Sequence, residues 1–308
     1  LLSVRAFYTF VFVAPFTKGE VLMGLPLLGE AQPHRVFRDS AEVPPPPAGE
    51  NGLQRIQNSG VLRACYRRSD YPSAFFNSVG DLVGFDIEMA HRFARQLDAR
   101  VDFVPVDSIP HAEERVNNGF CDVFMSLMPM APEMTLRFAM TAPVVESALG
   151  LVLKDHRRRE FQTWDAIQAR GNMRIAIADN LASRRFLDQA LPEAEAVPFK
   201  DDRDLDDLVS ADPLIFDALL MRAEEGAAWT IRYPQFTLVT PSPILIAPYA
   251  YALRQGDSQL LDFLDVWILN ARGKGTVDAL YRYWMLGQVG QVKPPRWSVI
   301  RDVLGWID

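Results

Sequence analysis

Hydrophobic and polar positions along this chain fall into blocks of two kinds. Short runs that are apolar almost throughout occur at 61–66, 101–106, 121–127 and 173–178. Such runs predict strands buried on both faces, as in a mostly parallel sheet. Between them the apolar period lengthens. Ile87, Ala90, Phe93, Ala94 and Leu97 fall on one stripe of a helix that Asp86 is placed to cap. Residues 113–117 close another short helix, ended by Gly119. Further on, 182–191 predicts a helix, Pro198-Phe199 the end of a strand, 214–221 a helix or a strand, and 260–284 helix again. Strand and helix in alternation define an α/β chain.

The pattern is interrupted in two places. A second unit starts after Leu153, and 239–253 leads back toward the first. Ahead of the body, Pro44 to Pro47 hold the chain in polyproline II geometry, and Gly49 and Gly52 release it, so 41–52 reads as a stiff linker. Residues 6–16 are apolar but end short of the ~20 residues that a spanning helix needs. They also lack the basic start and cleavage site of a secretory signal. The tail of a membrane helix, a degenerate signal and a peripheral amphipathic segment all remain open readings. Thr17-Lys18-Gly19-Glu20 fits a capping box for a short helix over 21–28. Leu1, in the place of an initiator methionine, is expected to mark a fragment or a processed product. Residues 1–40, a membrane-proximal or amphipathic segment, are expected to be dispensable for folding of the body.

Composition narrows the classes. At 308 residues, 49% hydrophobic, the chain has material for one large or two ordinary domains with a full core. A net charge of −7 argues against a nucleic-acid partner, which would need a basic face. Cys65 and Cys121 are too few for a disulfide-rich scaffold or a four-cysteine zinc site. Counting strand levels puts them about four residues apart at ~3.3 Å each, beyond the ~7 Å reach of a disulfide, so free thiols are expected. The four histidines are scattered, and no G-x-S-x-G, P-loop or G-x-G-x-x-G motif occurs. Neither a metal nor a cofactor is called for, and nothing points to an enzyme. The acidic run from Lys200 to Asp207 lacks the glycine and final glutamate of a calcium loop and reads as a solvated helix start. Arg157-Arg158-Arg159 reads as a surface loop.

A set of local motifs goes further. Asp70-Tyr71-Pro72-Ser73-Ala74-Phe75-Phe76 is followed by Leu82-Val83-Gly84-Phe85-Asp86-Ile87-Glu88. Asn118-Gly119-Phe120-Cys121-Asp122-Val123, Ala131-Pro132-Glu133-Met134 and Ala142-Pro143-Val144-Val145-Glu146-Ser147 come next. In this order and spacing, over roughly 53–288, the chain resembles the bacterial extracytoplasmic solute-binding proteins of the polar amino-acid type, family 3. The resemblance implies a two-lobed periplasmic-binding-protein fold of type II, each lobe a mostly parallel sheet flanked by helices, with a two-strand hinge. Lobe one is expected at 53–147 plus 243–288 and lobe two at 148–242. The hinge is expected near 146–148 and 240–242, with 289–308 as a tail.

The family pattern also singles out cleft residues. Relatives hold an amino acid's carboxylate through the arginine of a Thr-Pro-Glu-Arg-like turn; here Ala131 and Met134 stand in that turn, and Arg137 is the nearest replacement. Relatives meet the ammonium group with an aspartate in lobe two, where this chain has Arg222, with Glu224 and Glu225 nearby. The glycine-threonine turn of relatives is reduced to Asn180 and Ser183. The aromatic wall is kept in Tyr71, Phe75 and Phe76. Arg68 stands where some relatives carry an acid, and Ser126 and Met128 lie at the carboxyl end of a strand, where open parallel sheets bind ligands. The resemblance therefore implies a receptor for a small polar or anionic solute, an amino acid or an organic acid. It would serve a membrane transporter from the periplasm and be tethered through the N-terminal side. Segments at 14–23, 223–229 and 295–300 are similar to fusions of a dicarboxylate/cation symporter with a binding domain, which implies a transporter fused upstream. Two alternatives stand beside it: a degenerate lobe pair with a regulatory or protein-binding role, and an enzyme resembling the cyclohexadienyl dehydratases of the same fold.

Overall fold

In a computed structural model, residues 22–45, 51–68 and 70–288 are described. The segment at 6–16, the capping box at 17–20, Pro46 and Pro47, and the tail at 289–308 lie outside these residues. Thirteen strands are present among them: β1 (His34–Val36), β2 (Val61–Arg67), β3 (Phe75–Phe76), β4 (Leu82–Val83), β5 (Arg100–Val106), β6 (Val123–Pro129), β7 (Ala139–Met140), β8 (Val145–Lys154), β9 (Arg174–Ala178), β10 (Glu195–Phe199), β11 (Ala218–Arg222), β12 (Phe236–Val239) and β13 (Ile246–Leu253). The main sheet runs β1-β5-β2-β6-β13-β8-β11-β9-β10, with β12 beside β8 and β7 beside β13.

Pairing divides this sheet into two parallel parts joined by antiparallel strands. β1, β5, β2 and β6 pair parallel, as do β10, β9 and β11. β13 runs antiparallel to β6, β8 antiparallel to β13, and β8 antiparallel to β11. The first part, with its helices, is lobe one and the second is lobe two. β8 belongs to both: its first residues face β13 from Val145 to Ala148, and Leu149 to Val152 face β11. The chain thus passes between lobes without breaking the sheet.

Each lobe is covered on both sides, as unbroken apolar strands require. In lobe one, Leu62, Phe103, Val123 and Tyr251 pack with Phe93 and Trp284, while Val104, Phe124 and Phe138 form a second core on the other face. Ile175 and Leu151 in lobe two meet Trp164 and Leu187, and Ala176 and Val152 meet Trp229 and Phe236. The acidic run starts a helix at Asp202–Ser210, whose free amides Asp201 caps at Arg203 and Asp204.

Two expectations meet contrary contacts here. The first is that residues 1–40 stand apart from the body, whereas those described pack against it. β1 extends the sheet by pairing with β5, and Leu25, Phe37 and Val43 are buried. Glu88 accepts from the amides of Leu28 and Gly29 at 3.0 and 2.9 Å, and Tyr283 donates to the carbonyl of Pro26 at 2.9 Å. Residues 22–43 are therefore a strap of lobe one. The second is the free thiols: Cys65 and Cys121 form a disulfide with a Cα separation of 5.6 Å. Cys121 precedes β6 rather than belonging to it, so strand-level counting does not apply. The bend at Asp122, whose amide donates to Arg63 O at 2.9 Å, folds Cys121 back against β2.

A chain starting at residue 48 should melt at least ~5 °C below the 308-residue chain. Fully burying a large apolar side chain contributes ~1.5–3 kcal/mol, and each kcal/mol moves a melt of this size by ~2–4 °C. Equal melting temperatures would show that the strap adds nothing. Thiol titration of the unreduced, denatured protein should find no reactive groups. Reduction should cost roughly 4 kcal/mol, from chain entropy over a separation of 56 residues. Two thiols before reduction would refute the bond.

Candidate functional site

The site is the seam between the lobes, beside the point where β8, β11 and β13 run together. Lobe one contributes the 70–76 loop that follows β2. This loop is fixed from within: the carbonyl of Asp70 accepts the amides of Ser73 and Ala74 at 2.6 and 2.8 Å. It is also fixed from behind by Gly84, which has φ 131° and lies so close that an added Cβ would stand 2.2 Å from Ser73 O. Only glycine suits that position.

Gly84, not Asp86, is the N-cap of the helix Phe85–Gln96. Asp86 instead turns inward, fully buried, and accepts from Tyr251 Oη at 2.8 Å and from the amide of Leu127 at 3.1 Å. Burial, reinforced by the charge of Asp70, pushes its carboxyl up to about 7, against the pull of Arg222 and its two hydrogen bonds.

Lobe two contributes Arg222, the last residue of β11. Its side chain crosses into lobe one and is almost wholly buried. Nη2 donates to Ser73 Oγ at 3.0 Å and stands 4.0 Å from Asp70 Oδ1, and the guanidinium lies 5.5 Å from the centre of the Tyr249 ring. Burial lowers the tendency of Arg222 to hold its proton, but Asp70 and Glu225 reverse this and leave it raised. Asp70 accepts from Ser126 Oγ at 2.9 Å through Oδ2. Arg67 Nη2 lies 3.3 Å from Asp70 Oδ1 and 3.3 Å from Glu225 Oε1 across the seam. Glu224 accepts from Ser147 on β8 and from Tyr281 of lobe one. Arg185 pairs with Glu133, and Arg232 sits 5.5 Å from the Tyr71 ring, which stacks on Phe75 at 4.9 Å.

Of the residues singled out in the sequence, Tyr71, Phe75, Ser126, Arg222 and Glu224 converge here. Others do not. The guanidinium of exposed Arg68 bonds the carbonyl of Arg38 in the strap. Met128 packs with Val104 and Phe138 in the core, and Met134 is buried and apolar. Arg137 is exposed and paired with Glu113 at 3.1 Å, so it does not replace the missing arginine. Asn180 is the cap of the helix Leu181–Ala190, accepting from the amide of Ser183 at 2.9 Å. It borders a cavity of about 30 Å³ between the lobes, together with Arg67. Glu225, named beside Glu224 in the sequence, also reaches the seam, through Arg67, whereas Asp70, Ser73, Arg67 and Asp86 were missed as cleft residues. The signal for Asp70 and Ser73 was their place in the aromatic loop already selected.

Sequence and structure comparisons give the family and the fold. The model of the bacterial extracellular solute-binding proteins, family 3, matches residues 62–287, and the chain belongs to that family. Cyclohexadienyl dehydratase of Pseudomonas aeruginosa is 24% identical over 242 residues, 77% of this chain and 87% of that protein. An ancestral amino-acid-binding protein, a precursor of cyclohexadienyl dehydratase, has a TM-score of 0.64 at 24% identity, over 76% of this chain and 99% of its own. The amino acid ABC transporter substrate-binding protein AbpA of Streptococcus pneumoniae, bound to L-arginine, reaches 0.66 at 18% identity, over 77% and 100%. The solute receptor for L-cysteine of Neisseria gonorrhoeae reaches 0.66 at 21%, over 79% and 97%. Most of these relatives are binding proteins rather than enzymes, and they share the two-lobed fold.

The titration of Asp86 has a definite sign. A folded value of about 7 against an ordinary 3.8 means that the folded state holds the proton more tightly. Stability from this group is therefore highest below pH 4 and falls as pH rises toward 7. His91, which burial lowers to about 4 from 6.5, works in the opposite direction below pH 6.5. The difference between wild type and Asp86→Asn isolates the carboxyl. From pH 5 to pH 8 wild type should lose at least ~1 kcal/mol, or ~2–4 °C, relative to the variant. Parallel melting profiles would contradict the assignment.

Proposed function

We propose that this domain captures a small polar, anionic solute between its lobes, outside the cytoplasm, and hands it to a membrane transporter lying on its N-terminal side. The observation that supports this most is Arg222, a buried cation turned into the seam beside Ser73, Asp70 and the Tyr249 ring. A guanidinium stays charged at every physiological pH and takes a carboxylate through two parallel hydrogen bonds. The position where relatives carry an arginine is the apolar Met134, and the position where they carry an acid is Arg222 itself. An α-amino acid held in their manner would thus lose both anchors, whereas an organic acid has no ammonium group to satisfy and meets a different cation in Arg222.

A thermal-shift comparison tests the reading. A ligand at a hundred times its dissociation constant adds ~2.7 kcal/mol, or roughly 5–10 °C here. Succinate should give such a rise in wild type and none in Arg222→Ala, while glutamine, histidine and arginine leave the melt unchanged. A rise with one of those amino acids, retained in Arg222→Ala, would overturn the anionic reading. Succinate and a cyclohexadienyl acid should both be recovered unaltered after incubation. A dehydrated product would move the protein to the activity named for its Pseudomonas relative.

A further inference from the structure

The charges at the seam are already balanced among themselves. Arg67 and Asp70 come from lobe one, Arg222 and Glu225 from lobe two, and they alternate in sign across the seam. Asp70 is the member best fixed in place. Its side chain is 2% exposed, its Oδ2 is held by Ser126, and its carbonyl is tied to the amides of Ser73 and Ala74. Yet Oδ1, buried and turned toward Arg222 and Arg67, makes no hydrogen bond among the described residues. A carboxylate placed only to support the loop would need no charged oxygen aimed at a cation from the other lobe. Oδ1 lies 3.3 Å from Arg67 Nη2 in its own lobe and 4.0 Å from Arg222 Nη2 of the other, so its charge is shared between a cation on each side of the seam.

We infer that Asp70 is the built-in competitor for the Arg222 guanidinium, an affinity-determining residue that stands where a solute's carboxylate would act and latches lobe two onto lobe one. An anion approaching Arg222 enters the field of Asp70 at 4.0 Å from the same nitrogen, Nη2. It binds only by outbidding that charge, so affinity for simple anions is held down. Until it does, Arg222 remains bonded to Ser73 and facing Asp70, and the lobes stay drawn together. The competition rests on the anionic reading above, whereas the latch does not.

The test uses Asp70→Asn, which keeps the shape and the acceptor for Ser126 while removing the charge. Arg222→Gln removes the other side of the pair. In the full 308-residue chain without solute, small-angle scattering should give a compact wild type and a larger radius of gyration for both variants. Calorimetric titration with succinate should show at least about tenfold tighter binding to Asp70→Asn than to wild type. Melting curves confirm that each variant is folded, and if one is not, the scattering of the other decides the latch. Succinate that binds neither protein, with both variants open, would defeat the anionic reading and leave the latch standing. Unchanged radii in the variants would overturn the latch. Equal or weaker succinate binding by Asp70→Asn, where wild type binds it, would overturn the competition.

Discussion

The structure turns on a guanidinium that belongs to one lobe and is buried in the other. A charge taken out of water must be compensated where it lands, or the cost runs to several kcal/mol. Arg222 meets that requirement with Ser73 and Asp70, and Asp70 in turn faces Arg67, which reaches back to Glu225. Removing any one of these leaves a neighbour uncompensated. The lobes are therefore joined at their seam by charge and hydrogen bonding, while each keeps its own apolar core.

That arrangement depends on the strands that pass between the lobes. Arg222 lies opposite Leu149, and two residues earlier on the same strand Ser147 lies opposite Ala247 on β13. Tyr249, whose ring lies beside the Arg222 guanidinium, stands opposite Val145. Sheet register thus delivers residues distant in sequence to one small volume. Behind it, Gly84 lets the 70–76 loop approach the helix, and Asp86 ties that helix to β6 and β13. On the proposed anionic reading, binding couples to lobe position, since the cation and its partners sit on opposite sides of the seam.

Much of this was legible in the sequence, because parallel sheets write themselves as apolar runs. β2, β5, β6 and β9 all fall within or beside the runs read as strands. Tyr71, Ser126 and Arg222 were marked for the cleft through motif and strand-end position. What escaped depended on contacts between distant segments. Asp86 has the look of a cap, being an acid before an apolar stripe, and only Tyr251, 165 positions away, shows that it points inward. The disulfide was missed because the bend at Asp122 is invisible to a count along extended strands. The strap was missed because four prolines read as a boundary, although burial of Phe37 and pairing of β1 with β5 lie ahead of them. Arg68 was over-read: its neighbour Arg67 reaches the seam instead.

The central claim is that Arg222 and Asp70 interact across the lobes in the protein itself. A double-mutant cycle measures that directly: the stabilities, at one pH and salt concentration and without solute, of wild type, Asp70→Asn, Arg222→Gln and the double variant. Residues in one charged network couple by 0.5–3 kcal/mol. The account predicts a favourable coupling of at least ~1 kcal/mol, so that the second substitution costs clearly less once the first is made. Additive effects, within ~0.5 kcal/mol, would mean that the two charges do not sense each other and that the seam is held by something else.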